Sequence, residues 1–121
     1  MADKTKNFKD LKIWQLGIDI VVCIYNISKV FPKDEAYGLA SQMKRAAVSI
    51  PSNIAEGFKR KHKTEYRQYL HIALGSTAEL ETQVIIAEKV KYIDYVQLND
   101  ILEMLDHESK MITNLIKCIE N

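Results

Sequence analysis

Between Gln42 and Gly57 the chain reads Gln-Met-Lys-Arg-Ala-Ala-Val-Ser-Ile-Pro-Ser-Asn-Ile-Ala-Glu-Gly, and it keeps helical spacing straight through a proline. Leu39, Met43, Ala46, Ile50 and Ile54 recur at steps of three and four, with Pro51 in their midst. A proline inside a helix removes one backbone hydrogen bond and crowds the preceding turn, at a cost of roughly 3 kcal/mol. A chain that keeps the helix there either uses the bend or satisfies the freed carbonyl of Ala47 in another way. Beside the apolar line runs a second one of small or polar groups: Gln42, Arg45, Ser49, Asn53 and Glu56. The segment is specified in detail, and it specifies architecture and assembly more than chemistry.

The remainder is helical in pattern as well. Four glycines and two prolines are few for 121 residues, so long periodic runs dominate and turn signals are scarce. The first run extends from about Asp10 to Val30 and stops at Phe31-Pro32. It carries two apolar stripes about 100° apart, one of Leu11, Trp14, Ile18, Val21, Tyr25 and Ser28, the other of Ile13, Gly17, Ile20, Ile24, Ile27 and Phe31. Lys12, Asp19 and Asn26 mark a narrow wet edge. One stripe suffices for a helix on the outside of a small monomer; two predict a homo-oligomer.

The second run begins near Asp34 or Glu35, whose carboxylates suit a helix start, and ends near Gly57. The third spans about Thr64 to Val90 and turns Tyr66, Leu70, Ala73, Thr77, Leu80, Val84 and Ala87 inward. His62 is its expected cap, with Glu65 reaching back as in a capping box. The fourth starts near Asp94 and buries Leu98, Leu102, Leu105, Ser109, Ile112, Ile116 and Ile119. Four long helices with short connections predict an all-α fold, an antiparallel up-down-up-down four-helix bundle. It forms one domain over residues 1–121, with residues 1–8 as an N-terminal arm.

A chain of this length builds a core without metal or disulfide staples. Cys23 and Cys118 lie in apolar runs and read as small buried hydrophobes; a disulfide between them stays open if the first and last helices pack together. The opening Met-Ala-Asp-Lys-Thr-Lys lacks the apolar core of a signal peptide. No apolar run reaches the ~20 residues that span a bilayer, so a cytoplasmic protein with no membrane partner is expected. Net charge is +1, yet residues 1–70 hold 13 Lys or Arg against 7 Asp or Glu, and residues 71–121 hold 4 against 9. This asymmetry predicts one basic and one acidic face.

Several motifs carry a family resemblance. They are Phe8-x-x-Leu11-x-x-Trp14, Tyr25, Phe31-Pro32, Tyr37-Gly38-Leu39, the run from Gln42 through Arg45-Ala46-Ala47, Ser49-Ile50-Pro51 and Asn53-Ile54-Ala55-Glu56-Gly57, and Ala73-x-Gly75-Ser76-x-x-Glu79-Leu80-Glu81-Thr82. Together, from Phe8 to about Ile93, they resemble the four-helix-bundle proteins called 23S rRNA-intervening-sequence proteins. The resemblance implies a homo-oligomeric ring, typically of five copies, and no catalytic activity. A related branch serves as the accessory protein of diversity-generating retroelements and associates with reverse transcriptase and nucleic acid. His62-Lys63 departs from the small hydroxyl cap usual in the family.

Two groups of side chains are site candidates. The first is the polar line Arg45, Ser49, Asn53 and Glu56, near Pro51, with Ser76, Glu79 and Glu81 on the third helix. A turn centred near Lys61 sets Arg45 level with Ser76 to Glu79. The expected role is a polar seam of Arg45–carboxylate pairs that fixes helix register and the subunit contact; a ligand pocket is the other reading. The second is the basic turn Lys59, Arg60, Lys61, His62 and Lys63, with Arg67 one turn on. Charge runs are usually solvated loops, but repeated around a ring these cations form a collar for the phosphates of RNA or DNA. Lys4, Lys6, Lys9 and Lys12 extend the patch, and Phe58 and Tyr66 flank it as candidate base-stacking rings. The pI of about 7.7 is low for a dedicated nucleic-acid domain, so an acidic protein partner stands as the alternative. No enzyme, cofactor or metal is expected: there is no Glu-x-x-His pair of the di-iron kind, no glycine elbow at Ser49 or Ser52 and no phosphate loop. Glu103 and His107 share one helix face as a lone pair.

Overall fold

The computed structural model describes residues 6–120, and among these every regular element is helical. A 3-10 turn at Phe8–Asp10 leads into α1 (Lys12–Ser28), and a second one at Lys33–Glu35 precedes α2 (Leu39–Phe58). The remaining helices are α3 (Lys63–Lys89) and α4 (Tyr95–Glu120). α2 packs most extensively on α3; α1 lies against α2 and α3 against α4, while the α1–α4 seam is the thinnest.

All four helices feed one core. Ile13, Ile20 and Ile24 enter it from α1, Met43, Ile50 and Ile54 from α2, Leu70, Leu80 and Val84 from α3, and Ile101, Leu105 and Ile112 from α4. The two stripes of α1 divide over most of their length, with half-buried Ile27 and buried Ser28 as the exceptions near its end. Ile13, Gly17, Ile20 and Ile24 are buried, whereas Leu11, Trp14, Ile18 and Val21 are half-buried and Tyr25 is exposed. Lys12, Asp19 and Asn26 are exposed.

Several expectations need correction. The residues from Asp10 do not continue into α1, because Leu11 is extended and separates the 3-10 turn from the helix. Phe8, the last residue of the expected N-terminal arm, opens that turn, and its ring meets Trp14 edge-on at 5.6 Å. Lys4 lies outside the described residues. α2 starts at Leu39 and not at Asp34, since Gly38 takes a non-helical backbone. Glu35 still serves the helix start: its Oε1 accepts the Leu39 N–H at 2.9 Å, while its Oε2 accepts the Tyr92 hydroxyl at 2.8 Å. That single carboxylate ties the α1–α2 connection to the α3–α4 connection. Cys118 is exposed and Cys23 half-buried, both as free thiols, so neither is the fully buried hydrophobe expected.

α2 runs unbroken through Pro51. The ring is buried and faces Gly17 of α1, where an added Cβ would stand 3.3 Å from Pro51 Cβ. A side chain at position 17 would push the helices apart, and the glycine lets α1 close onto the proline.

Candidate nucleic-acid interface

The turn between α2 and α3 is short because a glycine permits it. An added Cβ at Gly57 would stand 2.7 Å from Tyr69 Cβ and 3.2 Å from the Tyr66 carbonyl, closer than side-chain carbons approach. Lys59 closes α2 with its N–H on the Ala55 carbonyl, and the Arg60 N–H follows on Gly57 at 3.0 Å. Phe58 and Tyr66 meet edge to face at 6.1 Å and are half-buried. Those rings lock the turn.

The basic residues of the turn divide into two kinds. Arg60 is engaged: its Nη2 lies 2.8 Å from Glu56 Oε2 and donates to the Tyr69 hydroxyl at 2.7 Å. Glu56 thereby leaves the seam assigned to it and joins the basic turn. Lys59, Lys61 and Lys63 are exposed, as is His62, and Arg67 is half-buried. Among the described residues the ion pairs are Arg60–Glu56 and Lys110–Asp106, so the three lysines and Arg67 keep their charge unpaired.

His62 takes the N-cap backbone of α3, φ −105° and ψ 135°, yet its side chain makes no cap bond. The capping box with Glu65 does not form, since an imidazole does not replace a short hydroxyl that reaches the third amide. His62→Ser supplies that acceptor and is expected to stabilise the protein by ~1 kcal/mol, read as a rise of a few degrees in the unfolding midpoint.

The polar seam exists in a narrower form than expected. Ser49 Oγ and Ser76 Oγ lie 2.8 Å apart and bind α2 to α3. Asn53 Nδ2 donates to Ser49 Oγ at 2.9 Å and to the Ser49 carbonyl at 2.8 Å. The Ser49 hydroxyl thus meets Asn53 and Ser76 together, and either serine can donate in the bond between the two hydroxyls. Arg45 is not part of the seam. It is exposed and forms no pair with Glu79 or Glu81, which are exposed as well; Glu79 accepts only a long bond from Gln83, 3.4 Å.

The group that the sequence reading missed is Glu108. It is 0 % exposed and neither carboxylate oxygen has a hydrogen-bond partner. Its Oε2 would lie 3.2 Å from a Cβ added at Gly17, in the contact that also holds Pro51. Burial alone pushes its pKa up to about 8, because desolvation disfavours the charged form. Ser109, expected at this place in the core, is half-buried. The signal was present: Leu98, Ile101, Leu105, Ile112 and Ile116 are the buried line of α4, and position 108 falls in its one gap.

Glu103 and His107 border an open groove on α4 with Asp100, Asp106 and Lys110. Among the described residues no group of three or more His, Cys, Asp or Glu is placed to hold a metal ion, and no helix is long and apolar enough to cross a membrane.

The fold defines a class, a small all-α protein of four helices packed on one apolar core. Within that class the chain belongs to the 23S rRNA-intervening sequence protein family, whose model matches residues 9–114. A crystal structure of a protein of unknown function from the S23 ribosomal protein family of Bacteroides thetaiotaomicron VPI-5482 is similar to it. The TM-score is 0.80 at 23% identity, over 87% of this chain and 98% of that one. No curated relative matches.

Proposed function

We propose that the protein is a non-enzymatic scaffold: an antiparallel up-down-up-down bundle that self-associates, on family resemblance as a ring of five, and binds the phosphate backbone of structured RNA or DNA. The observation that supports this reading is the turn itself. Lys59, Lys61 and Lys63 are exposed and unpaired on a helical hairpin, and Glu56 is occupied by Arg60. In an antiparallel arrangement the start of α1 lies at the same end, so Lys6, Lys9 and Lys12 extend the patch. Repetition in a ring multiplies a weak electrostatic contact into a useful one.

The test is fluorescence anisotropy with labelled hairpin RNA and duplex DNA. Replacing Lys59, Lys61 and Lys63 by Ser is expected to weaken binding at least ~10-fold at low salt, since each phosphate contact adds to affinity, while the assembly mass stays unchanged. Binding that survives the triple change would move the site elsewhere. No binding by the unaltered protein would favour an acidic protein surface as the partner.

A further inference from the structure

Among the outward apolar surfaces of the described residues, one on α1 and α2 and one on α3 carry opposite charges. One is a groove of about 280 Å³ between α1 and α2, lined by Trp14, Ile18, Val21, Val48, Pro51 and Ala55. On α2, one turn before Val48 and two before Ser52, which also lines the groove, Arg45 is exposed and unpaired; the neighbouring Lys44 lies over the Tyr25 ring at 5.0 Å.

The other is a stripe along α3: Ile72, Gly75, Glu79, Thr82 and Ile86, at steps of three and four and exposed throughout. Ile72 is 51% and Ile86 44% exposed. Gly75 stands in mid-helix with nothing within 4 Å of an added Cβ. An interior glycine costs ~1 kcal/mol relative to alanine, and nothing within the described chain requires this one. It flattens the stripe so that another backbone can come close.

The two faces match in apolar character and in charge. The groove is apolar with Arg45 beside it on α2, and the stripe has isoleucines at its ends with a carboxylate at its centre. They differ from one another, so their contact is heterologous: each copy offers its groove to one neighbour and its stripe to the next. We infer that the α3 stripe of one copy seats in the α1–α2 groove of a second copy, with Glu79 set against Arg45 of the partner subunit. The inference rests on the self-association proposed above and assigns the surfaces that make it. It also gives the exposed Arg45 and Glu79, which find no partner in each other within one chain, a common purpose.

The experiment is sedimentation velocity on the full chain, with circular dichroism as the check that each variant is helical. Both residues are exposed, so Arg45→Glu and Glu79→Arg leave the protomer folded. Each single change sets like charges together and is expected to weaken association at least ~10-fold, toward the protomer mass of 13.9 kDa. The double variant restores the assembly. Gly75→Arg, which fills the flat point of the stripe, is expected to disassemble it as well. A single variant that keeps the full assembly, or a double variant that stays dissociated, would overturn the pairing of these two faces. Unaltered protein sedimenting as a protomer would overturn self-association itself.

Discussion

Glu108→Gln is expected to leave stability near that of the unaltered protein at pH 5 and to exceed it by on the order of 3–4 kcal/mol at pH 9, at ~1.36 kcal/mol for each pKa unit. The carboxyl is sealed from water without a hydrogen bond and is held in its neutral form, its pKa raised from 4.5 to about 8. Between those two values the folded chain keeps a proton that the unfolded chain has released. Stability is therefore full below the unfolded value and declines as pH rises, levelling off above about 8. The amide does not titrate, so its stability curve lacks this alkaline limb. Glu108→Leu goes further, since it removes a polar group that nothing satisfies. Denaturant unfolding between pH 5 and 9 reads the difference. Identical pH profiles for the unaltered protein and the Glu108→Gln variant would contradict a sealed carboxyl.

Gly57→Val is expected to lower the unfolding midpoint by roughly 4–12 °C and to weaken the proposed nucleic-acid binding with it. The Cβ would enter the space of Tyr69 Cβ, a carbon fixed to its own backbone, so relief requires α2 and α3 to part at the turn. Overpacking of this kind costs ~1–3 kcal/mol, and a chain of this size loses roughly 4 °C per kcal/mol. Parting the helices also moves Lys59, Lys61 and Lys63 relative to one another. An unchanged midpoint in the Gly57→Val variant would show that the turn is not built on that contact.

How far the sequence could be read depended on whether a residue's role was local or shared between helices. A turn centred near Lys61 sets Arg45 level with Ser76, but the residue that meets Ser76 is Ser49, its hydroxyl 2.8 Å away, because the two helices pair one turn out of the register which that centre implies. The polar line of α2 misplaced Arg45 and Glu56. Residues on one helix edge share a stripe whether that edge faces a neighbouring helix or the solvent, and spacing alone does not separate the two. Glu56 turned to Arg60 four residues on, a local i, i+4 pair.

Glu108 escaped for the opposite reason. The reading of α4 followed apolar residues and stepped over a carboxylate, which is rarely buried without a partner; only the contact with Gly17 and Pro51 from two other helices reveals it. Glu35 was read as the start of α2 by its charge. It acts there through its side chain, four residues ahead of the helix, a difference that charge patterning does not resolve.

The proposal of a phosphate-binding assembly is tested most directly by the salt dependence of its affinity for a structured RNA hairpin. One protomer offers Lys59, Lys61, Lys63 and Arg67 at its turn, with Lys6, Lys9 and Lys12 in the patch proposed beside it, all outside any ion pair. At about 0.9 log units per phosphate contact, seven contacts give a slope of about −6.3 in log affinity against log salt. An assembly that presents several such patches to one nucleic acid is predicted to give a linear plot steeper than about −7. Absence of binding at low salt, or a slope no steeper than that of a single protomer, would contradict it.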